Sequence, residues 1–68
     1  MTISQLITAL EEKKKENGDI DVLVCGYEYG YDDFVLSVET VSKVEQKNSF
    51  SGAYDDDRDG NDTLILKR

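Results

Sequence analysis

The sequence predicts an α+β fold in which one N-terminal helix packs on a three- to four-stranded antiparallel sheet. Three features of the chain favour this fold. An apolar stripe with helical spacing comes first, segments of alternating apolar and polar residues follow it, and turns rich in glycine or aspartate separate those segments. With 68 residues the chain is long enough for one domain, which we expect to span residues 1–68.

Residues 2–17 are predicted to form the helix. Thr2 and Gln5 have the spacing of a capping box, in which two side chains accept hydrogen bonds from free backbone N–H groups of the first turn. Gly18 is a stop signal, because glycine readily adopts the left-handed conformation that ends a helix. One face of the helix carries an apolar stripe with i, i+3, i+4 and i+7 spacing, formed by Ile3, Leu6, Ile7 and Leu10.

Three segments, 19–27, 34–46 and 63–67, are predicted to form strands. The first has apolar residues on both faces, which is typical of a central strand. In the second, the alternation shifts its phase over residues 39–42, and this shift predicts a bulge or bend. In the polar turn that follows, Phe50 is the residue predicted to be buried.

The helix is predicted to cover one face of the sheet, and no second helix is available for the other face. An uncovered apolar face on a small domain is typical of an interface. The sequence therefore predicts a homodimer that forms across this face. The apolar residues assigned to it are Leu23, Cys25, Val35, Val41 and Ile65.

Composition excludes several classes of function. Fifteen acidic residues oppose eight basic ones, giving a net charge of −7, so direct binding to nucleic acid or to an anionic membrane is unfavourable. A basic groove on another protein would attract such a chain. Without histidine there is no Ser-His-Asp or Cys-His catalysis and no imidazole ligand for zinc. We expect a protein that is not an enzyme and has no catalytic residue, cofactor or resident metal.

The location expected from the sequence is the cytoplasm. The single cysteine, Cys25, cannot form a disulfide within the chain, which fits a reducing compartment. The first ten residues lack the basic start and long apolar run of a signal peptide. No apolar run approaches the roughly 20 residues that span a bilayer.

Residues 55–62, Asp-Asp-Asp-Arg-Asp-Gly-Asn-Asp, are predicted to form an acidic loop. An Asp-x-Asp-x-Asp-Gly run over 55–60 matches the first half of a calcium-binding loop. The second half does not match, because Leu66 occupies the position of the bidentate glutamate. The structural interpretation of this segment is a solvated loop between strands, and an irregular calcium site is an alternative. As a functional site, its five aspartates are predicted to engage lysines or arginines of a partner.

Residues 27–34, Tyr-Glu-Tyr-Gly-Tyr-Asp-Asp-Phe, form the second candidate site. Tyrosine gives a large contact area at a low entropy cost and is enriched at interaction hot spots. The interleaved acids would form a charged rim around the rings. Alternatively, the rings stack on a nucleobase, or the segment is a structural hairpin whose alternate tyrosines pack on the sheet, with Gly30 in its turn. The predicted partner-binding residues of both sites are Tyr27, Glu28, Tyr29, Tyr31, Asp32, Asp33, Asp55, Asp56, Asp57, Asp59 and Asp62.

Part of the chain resembles small uncharacterised proteins encoded by phages and mobile elements. The resemblance lies in Thr-Ile-Ser-Gln-Leu-Ile-x-x-Leu at 2–10, Gly-Asp at 18–19, the strand at 22–24 and Tyr-Glu-Tyr-Gly-Tyr-Asp-Asp at 27–33. It covers the first half of the chain, and the second half only as a variable loop and a final strand. It supplies no catalytic residue. It implies a phage protein that counters host defence, similar to anti-CRISPR proteins, which are often small, acidic and non-enzymatic.

The charge and the resemblance together predict an inhibitor in the host cytosol. It would bind a basic groove of a CRISPR-Cas-like defence protein by imitating the charge of nucleic acid. The alternative is a small-ligand binder that sequesters a nucleotide signal, with the tyrosines stacking on the base at a dimer interface. A calcium-dependent module is the third interpretation.

Overall fold

The computed structural model describes residues 1–46, 48–49 and 51–68, so the predicted burial of Phe50 lies outside the described residues. One N-terminal helix and five strands in antiparallel sheets confirm the α+β class. The strands form two sheets, of two and three strands, where the sequence predicted one. The elements are α1 (Ile3–Asn17), β1 (Val24–Cys25), β2 (Tyr31–Asp32), β3 (Val35–Lys43), β4 (Tyr54–Asp56) and β5 (Asn61–Lys67).

The chain forms two compact units. The first contains residues 1–33 together with Arg68, and the second contains residues 34–67. Within the described ranges, no helix is long and apolar enough to cross a bilayer. The single-domain boundary 1–68 stays a prediction.

The helix α1 begins and ends as the sequence predicts. Thr2 Oγ1 accepts the backbone N–H of Gln5 at 3.2 Å, and Gln5 Oε1 accepts the backbone N–H of Thr2 at 2.8 Å, which completes the capping box. At the other end, Gly18 has φ +82° and donates its N–H to Lys14 O at 2.7 Å. This positive φ explains why glycine stands there.

The first unit pairs fewer residues in strands than the sequence predicts. The predicted central strand 19–27 is wrong in both its extent and its position, because only Val24–Cys25 pair, and they pair with β2 alone in a two-stranded sheet. Because β2 is only two residues long, it leaves residues 19–23 without strand partners among the described residues. That preceding stretch contributes Ile20 and Val22 to an apolar groove of about 310 Å³, which Ile7 and Leu10 of α1 also line.

The second unit is a three-stranded sheet with the order β4-β3-β5, so β3 is the central strand. Residues 35–41 of β3 pair in unbroken register with 67–61 of β5, and residues 41–43 pair with 56–54 of β4. The bulge predicted over residues 39–42 is therefore wrong. The apolar pattern changes from even-numbered to odd-numbered positions because Val41, which pairs with both outer strands, is buried. The pairing of the strand continues without interruption.

The chain crosses β3 between β4 and β5. Thr40 O accepts the N–H of Asp57 at 3.0 Å, and Val44 donates its N–H to Ala53 O at 2.9 Å, so even-numbered residues of β3 direct their backbone groups towards β4. The odd-numbered residues direct theirs towards β5. The turn 57–60 connects β4, at one edge of β3, to β5, at the other edge.

The crossing point is Val41. It has register partners in both outer strands, Asp56 in β4 and Asn61 in β5. Gly60 donates its N–H to Asp57 O at 2.8 Å, which closes the turn. Val41 is 8% exposed and is the one buried residue in the described part of the chain. The core of the second unit is therefore centred on this crossing.

Gly60 is required by a close approach to the backbone of β3. A Cβ atom added at Gly60 would lie 2.3 Å from Val41 O and 2.6 Å from Val41 C. These distances are below any van der Waals contact, and both atoms belong to the central strand. A side chain at position 60 would therefore displace the turn from β3.

We expect Gly60→Ala to destabilise the protein by about 1–3 kcal/mol, because the new methyl group overpacks the crossing. Gly52→Ala is the matched control, since a Cβ there would meet Tyr54 O at an ordinary 3.7 Å. Thermal unfolding followed by circular dichroism measures both variants. Equal midpoints for the two would contradict the crossing.

Candidate interaction surface

One face of the three-stranded sheet is apolar over half of its length. Residues paired directly across an antiparallel ladder share a face. Leu36 is opposite Leu66, and Val38 is opposite Leu64. Leu36 and Val38 are 64% and 69% exposed, Leu66 is exposed as well, and Leu64 is half-buried. Four large apolar side chains thus form a contiguous patch that is open to solvent.

The other half of the same face is acidic. Continuing along the even-numbered positions of β3, Thr40 is opposite Asp62 and Ser42 is opposite Asp55. The Ser42 hydroxyl donates to Asp57 Oδ2 at 3.0 Å, which brings a third carboxylate to this face. We call this surface the composite face. It consists of the apolar residues Leu36, Val38, Leu64 and Leu66 and the acidic residues Asp55, Asp57 and Asp62.

The structure corrects the predicted acidic loop 55–62. Its first two aspartates lie in β4 and its last two residues lie in β5, so only 57–60 is a turn. Asp56, opposite Val41, points to the other face of the sheet. Asp59 is exposed in the turn and donates its N–H to Asp57 Oδ1 at 3.0 Å. The five aspartates therefore do not form a single patch.

Asp57 has a structural role in addition to its charge. Its Oδ1 accepts the N–H of Asp59, and its Oδ2 accepts the hydroxyl of Ser42. Oδ1 thus closes the turn on itself, and Oδ2 attaches the turn to β3. Across the described ranges, no group of three or more cysteine and carboxylate side chains is placed to hold a metal ion.

The sequence missed the apolar half of the composite face. Alternation over residues 34–38 indicated one apolar side, but the helix was expected to cover it. The predicted uncovered set instead included Val41, which is the buried residue. Register decided the outcome, since it pairs Leu36 and Val38 with the two leucines of β5.

The opposite face of the sheet carries its own ion pair. Lys67 Nζ bonds Glu39 Oε1, and the Ser37 hydroxyl donates to the same oxygen at 3.4 Å. The hydrogen bond from Lys67 is the largest cause that lowers the pKa of Glu39 below its ordinary value, and partial burial opposes it. The carboxylate of Glu39 is therefore paired with a lysine on its own face of the sheet.

The tyrosine segment contains the loop and the second strand of the β1–β2 hairpin. Gly26 donates its N–H to Gly30 O at 2.9 Å, and Tyr29 donates its N–H to Tyr27 O at 2.8 Å. Glu28 and Gly30 have positive φ values, +65° and +70°, which only the second residue adopts without strain. The loop is tightly folded on its own backbone.

The tyrosine rings of the hairpin face solvent. Tyr27 is 78% exposed, Tyr29 is 88% exposed and Tyr31 is 77% exposed. The Arg68 guanidinium lies 5.7 Å from the centroid of the Tyr27 ring, within the range of a cation–π contact. Glu28 and the two following acids of the segment, Asp32 and Asp33, are also exposed. All six predicted residues of this site lie in the hairpin or directly after it. The hairpin predicted as a structural alternative is present, but its tyrosine rings are exposed and do not pack as that alternative required.

Comparison of the chain with protein-family models, curated proteins and solved structures finds no match.

Acidification should weaken the fold through Glu39. Because its pKa is lowered in the folded state, ionised Glu39 contributes stability above the ordinary glutamate pKa, and this contribution is lost as the pH falls through the lowered value. We expect Glu39→Gln to lower the melting temperature at about pH 7, and the difference from the wild type to shrink as the pH falls through the lowered pKa of Glu39. Glu45→Gln, at an exposed position, is the control. A difference that persists unchanged at low pH would contradict this assignment.

Proposed function

We propose that the protein inhibits a host defence protein of the CRISPR-Cas type by binding its basic, nucleic-acid-binding groove. The observation that supports this proposal is the composite face, where three carboxylates adjoin an exposed apolar patch on one sheet. The resemblance of segments 2–10 and 27–33 to phage-encoded proteins supports the class of partner.

The acidic half of the composite face would direct the encounter. Negative charge accelerates association with a positive groove, and at physiological salt this attraction extends over about 8 Å. Asp55 and Asp62 are exposed and lie in the two outer strands, on either side of β3. These two carboxylates, one on each side of a strand, offer lysines and arginines of the partner paired negative charges in place of those of a nucleic-acid backbone.

The apolar half would hold the complex together. Charged contacts at the rim of an interface mainly change the association rate, whereas desolvated apolar contacts mainly determine how long the complex lasts. Burial of apolar area contributes about 25 cal/mol per Å². The four apolar side chains of the composite face therefore favour a partner groove that has an apolar wall next to its basic residues.

The tyrosine hairpin supplies a second contact in this proposal. Its rings are large, exposed and carried on a short loop whose backbone is internally bonded. Such rings form interface anchors because little side-chain entropy is lost on binding. Glu28, Asp32 and Asp33 would form the charged rim around them.

The test is binding to purified CRISPR effector complexes, measured by biolayer interferometry at several salt concentrations. We expect the double variant Asp55→Asn/Asp62→Asn to bind about tenfold more weakly, equivalent to about 1.4 kcal/mol, with a shallower dependence on salt. The matched control is Glu11→Gln/Glu12→Gln, which makes the same change in net charge on α1. Equal affinities of the two double variants, or no binding to any effector, would contradict the proposal.

A second test addresses the hairpin. Tyr29→Ser should weaken binding to the same effector without changing the melting temperature, because its ring is 88% exposed. Tyr54→Ser, which removes a tyrosine from β4 outside the hairpin, is the control. If Tyr29→Ser leaves affinity unchanged but abolishes heat released on titration with a cyclic nucleotide, the hairpin is instead a nucleotide site.

A further inference from the structure

The outer edge of β5 is an open hydrogen-bonding edge. β5 lies at one side of the three-stranded sheet, and none of the described residues pairs with its outer edge. Since the odd-numbered residues of β3 direct their backbone groups to β5, their odd-numbered partners in β5 bond back to them. The backbone N–H and C=O groups of Asp62, Leu64 and Leu66 therefore point away from the sheet.

The outer edge of β5 lacks the sequence features that usually prevent an edge strand from pairing with another chain. Natural sheets protect exposed edges with proline, with a charge in mid-strand, with bulges or with very short strands. β5 is seven residues long and its register is unbroken. Its middle residues, Leu64 and Ile65, are apolar and β-forming. Such a strand is suited to pair with another strand.

The charges of β5 are complementary to those of a second copy. Its first half carries Asp62, and its end carries Lys67 and is followed by Arg68. When two copies of β5 run antiparallel, the acidic start of each lies beside the basic end of the other. A register centred on Leu64 uses only outward-pointing backbone groups, because it pairs Leu64 with Leu64 and Asp62 with Leu66. Asp62 is then diagonal to Arg68 of the second copy, within reach of its long side chain.

The same pairing extends the composite face. Leu64 and Leu66 lie on that face at the outer edge of the sheet, so pairing would place them against the same residues of the second copy. We propose that the protein forms a two-fold symmetric dimer in which the outer edges of two β5 strands pair antiparallel around Leu64. The dimer has a six-stranded sheet with one continuous apolar band. The evidence for this dimer is separate from that for the proposed inhibitor function. In the dimer Asp62 lies at the junction of the two copies, and Asp55, in β4, remains at the far edge of each sheet.

The first experiment measures mass in solution by light scattering coupled to size-exclusion chromatography on the full chain. We expect twice the 7.7 kDa of one chain. Leu64→Pro removes an outward-pointing N–H and leaves the bonds to β3, so it should give a folded protein of 7.7 kDa. Ile65→Pro removes a bond to β3 instead, so loss of its circular dichroism signal is the expected contrast. A wild type of 7.7 kDa, or a dimeric Leu64→Pro, overturns the proposal.

A charge exchange tests the antiparallel register and does not require proline to be tolerated. Asp62→Lys and Arg68→Glu each place like charges at both ends of the paired strands, so each alone should raise the dimer dissociation constant at least about tenfold, the change that about 1.4 kcal/mol produces. Mixed together, they should form a heterodimer, because the lysine introduced at position 62 of one variant would face the glutamate introduced at position 68 of the other. Native mass spectrometry distinguishes the three dimers. A mixture without heterodimer, or single variants that dimerise like the wild type, overturns the proposed pairing.

Discussion

The second unit depends on the crossing of β3 by the turn 57–60. The outer strands β4 and β5 each run antiparallel to β3, so the four residues that connect them must cross the strand between them. The crossing is possible because Gly60 lies against the Val41 carbonyl. Val41 becomes the buried centre of the unit, and Asp57 attaches the turn through Ser42. The composite face and the open edge of β5 both follow from this geometry, because it places β4 and β5 on opposite edges of β3.

The crossing also decides which side chains share a face. With β3 in the middle, carboxylates from β4, the turn and β5 converge on the even-numbered side, where the leucines of β5 adjoin them. On the odd-numbered side, the negative charge of Glu39 is neutralised by its ion pair with Lys67. A chain of this length buries only about 60% of the surface that its unfolded form exposes, so a large apolar patch left in solvent is costly. Association is the ordinary way in which such a patch is used.

Local features of the sequence were predicted well. The capping box of Thr2 and the glycine stop at Gly18 act within a few residues, so sequence spacing alone identifies both ends of α1. Strands in 34–46 and 63–67 followed from their alternation. The placement of Asp55 and Asp56 in a strand could not be predicted, because aspartate disfavours strands and only non-local pairing with β3 holds them there. For the same reason the exposed leucines were missed: their register partners lie far along the chain, in a different strand.

The arrangement of β4 and β5 on opposite edges of β3 is tested most directly by nuclear Overhauser contacts between Hα atoms. In an antiparallel ladder these atoms approach closely only at pairs that are not hydrogen-bonded. The account predicts strong Hα–Hα contacts for Leu36 with Leu66, for Val38 with Leu64 and, across the other edge, for Val41 with Asp56. Strong contacts for Ser37 with Ile65 in place of Val38 with Leu64 would put β5 on the same edge as β4, and the composite face would not exist as described.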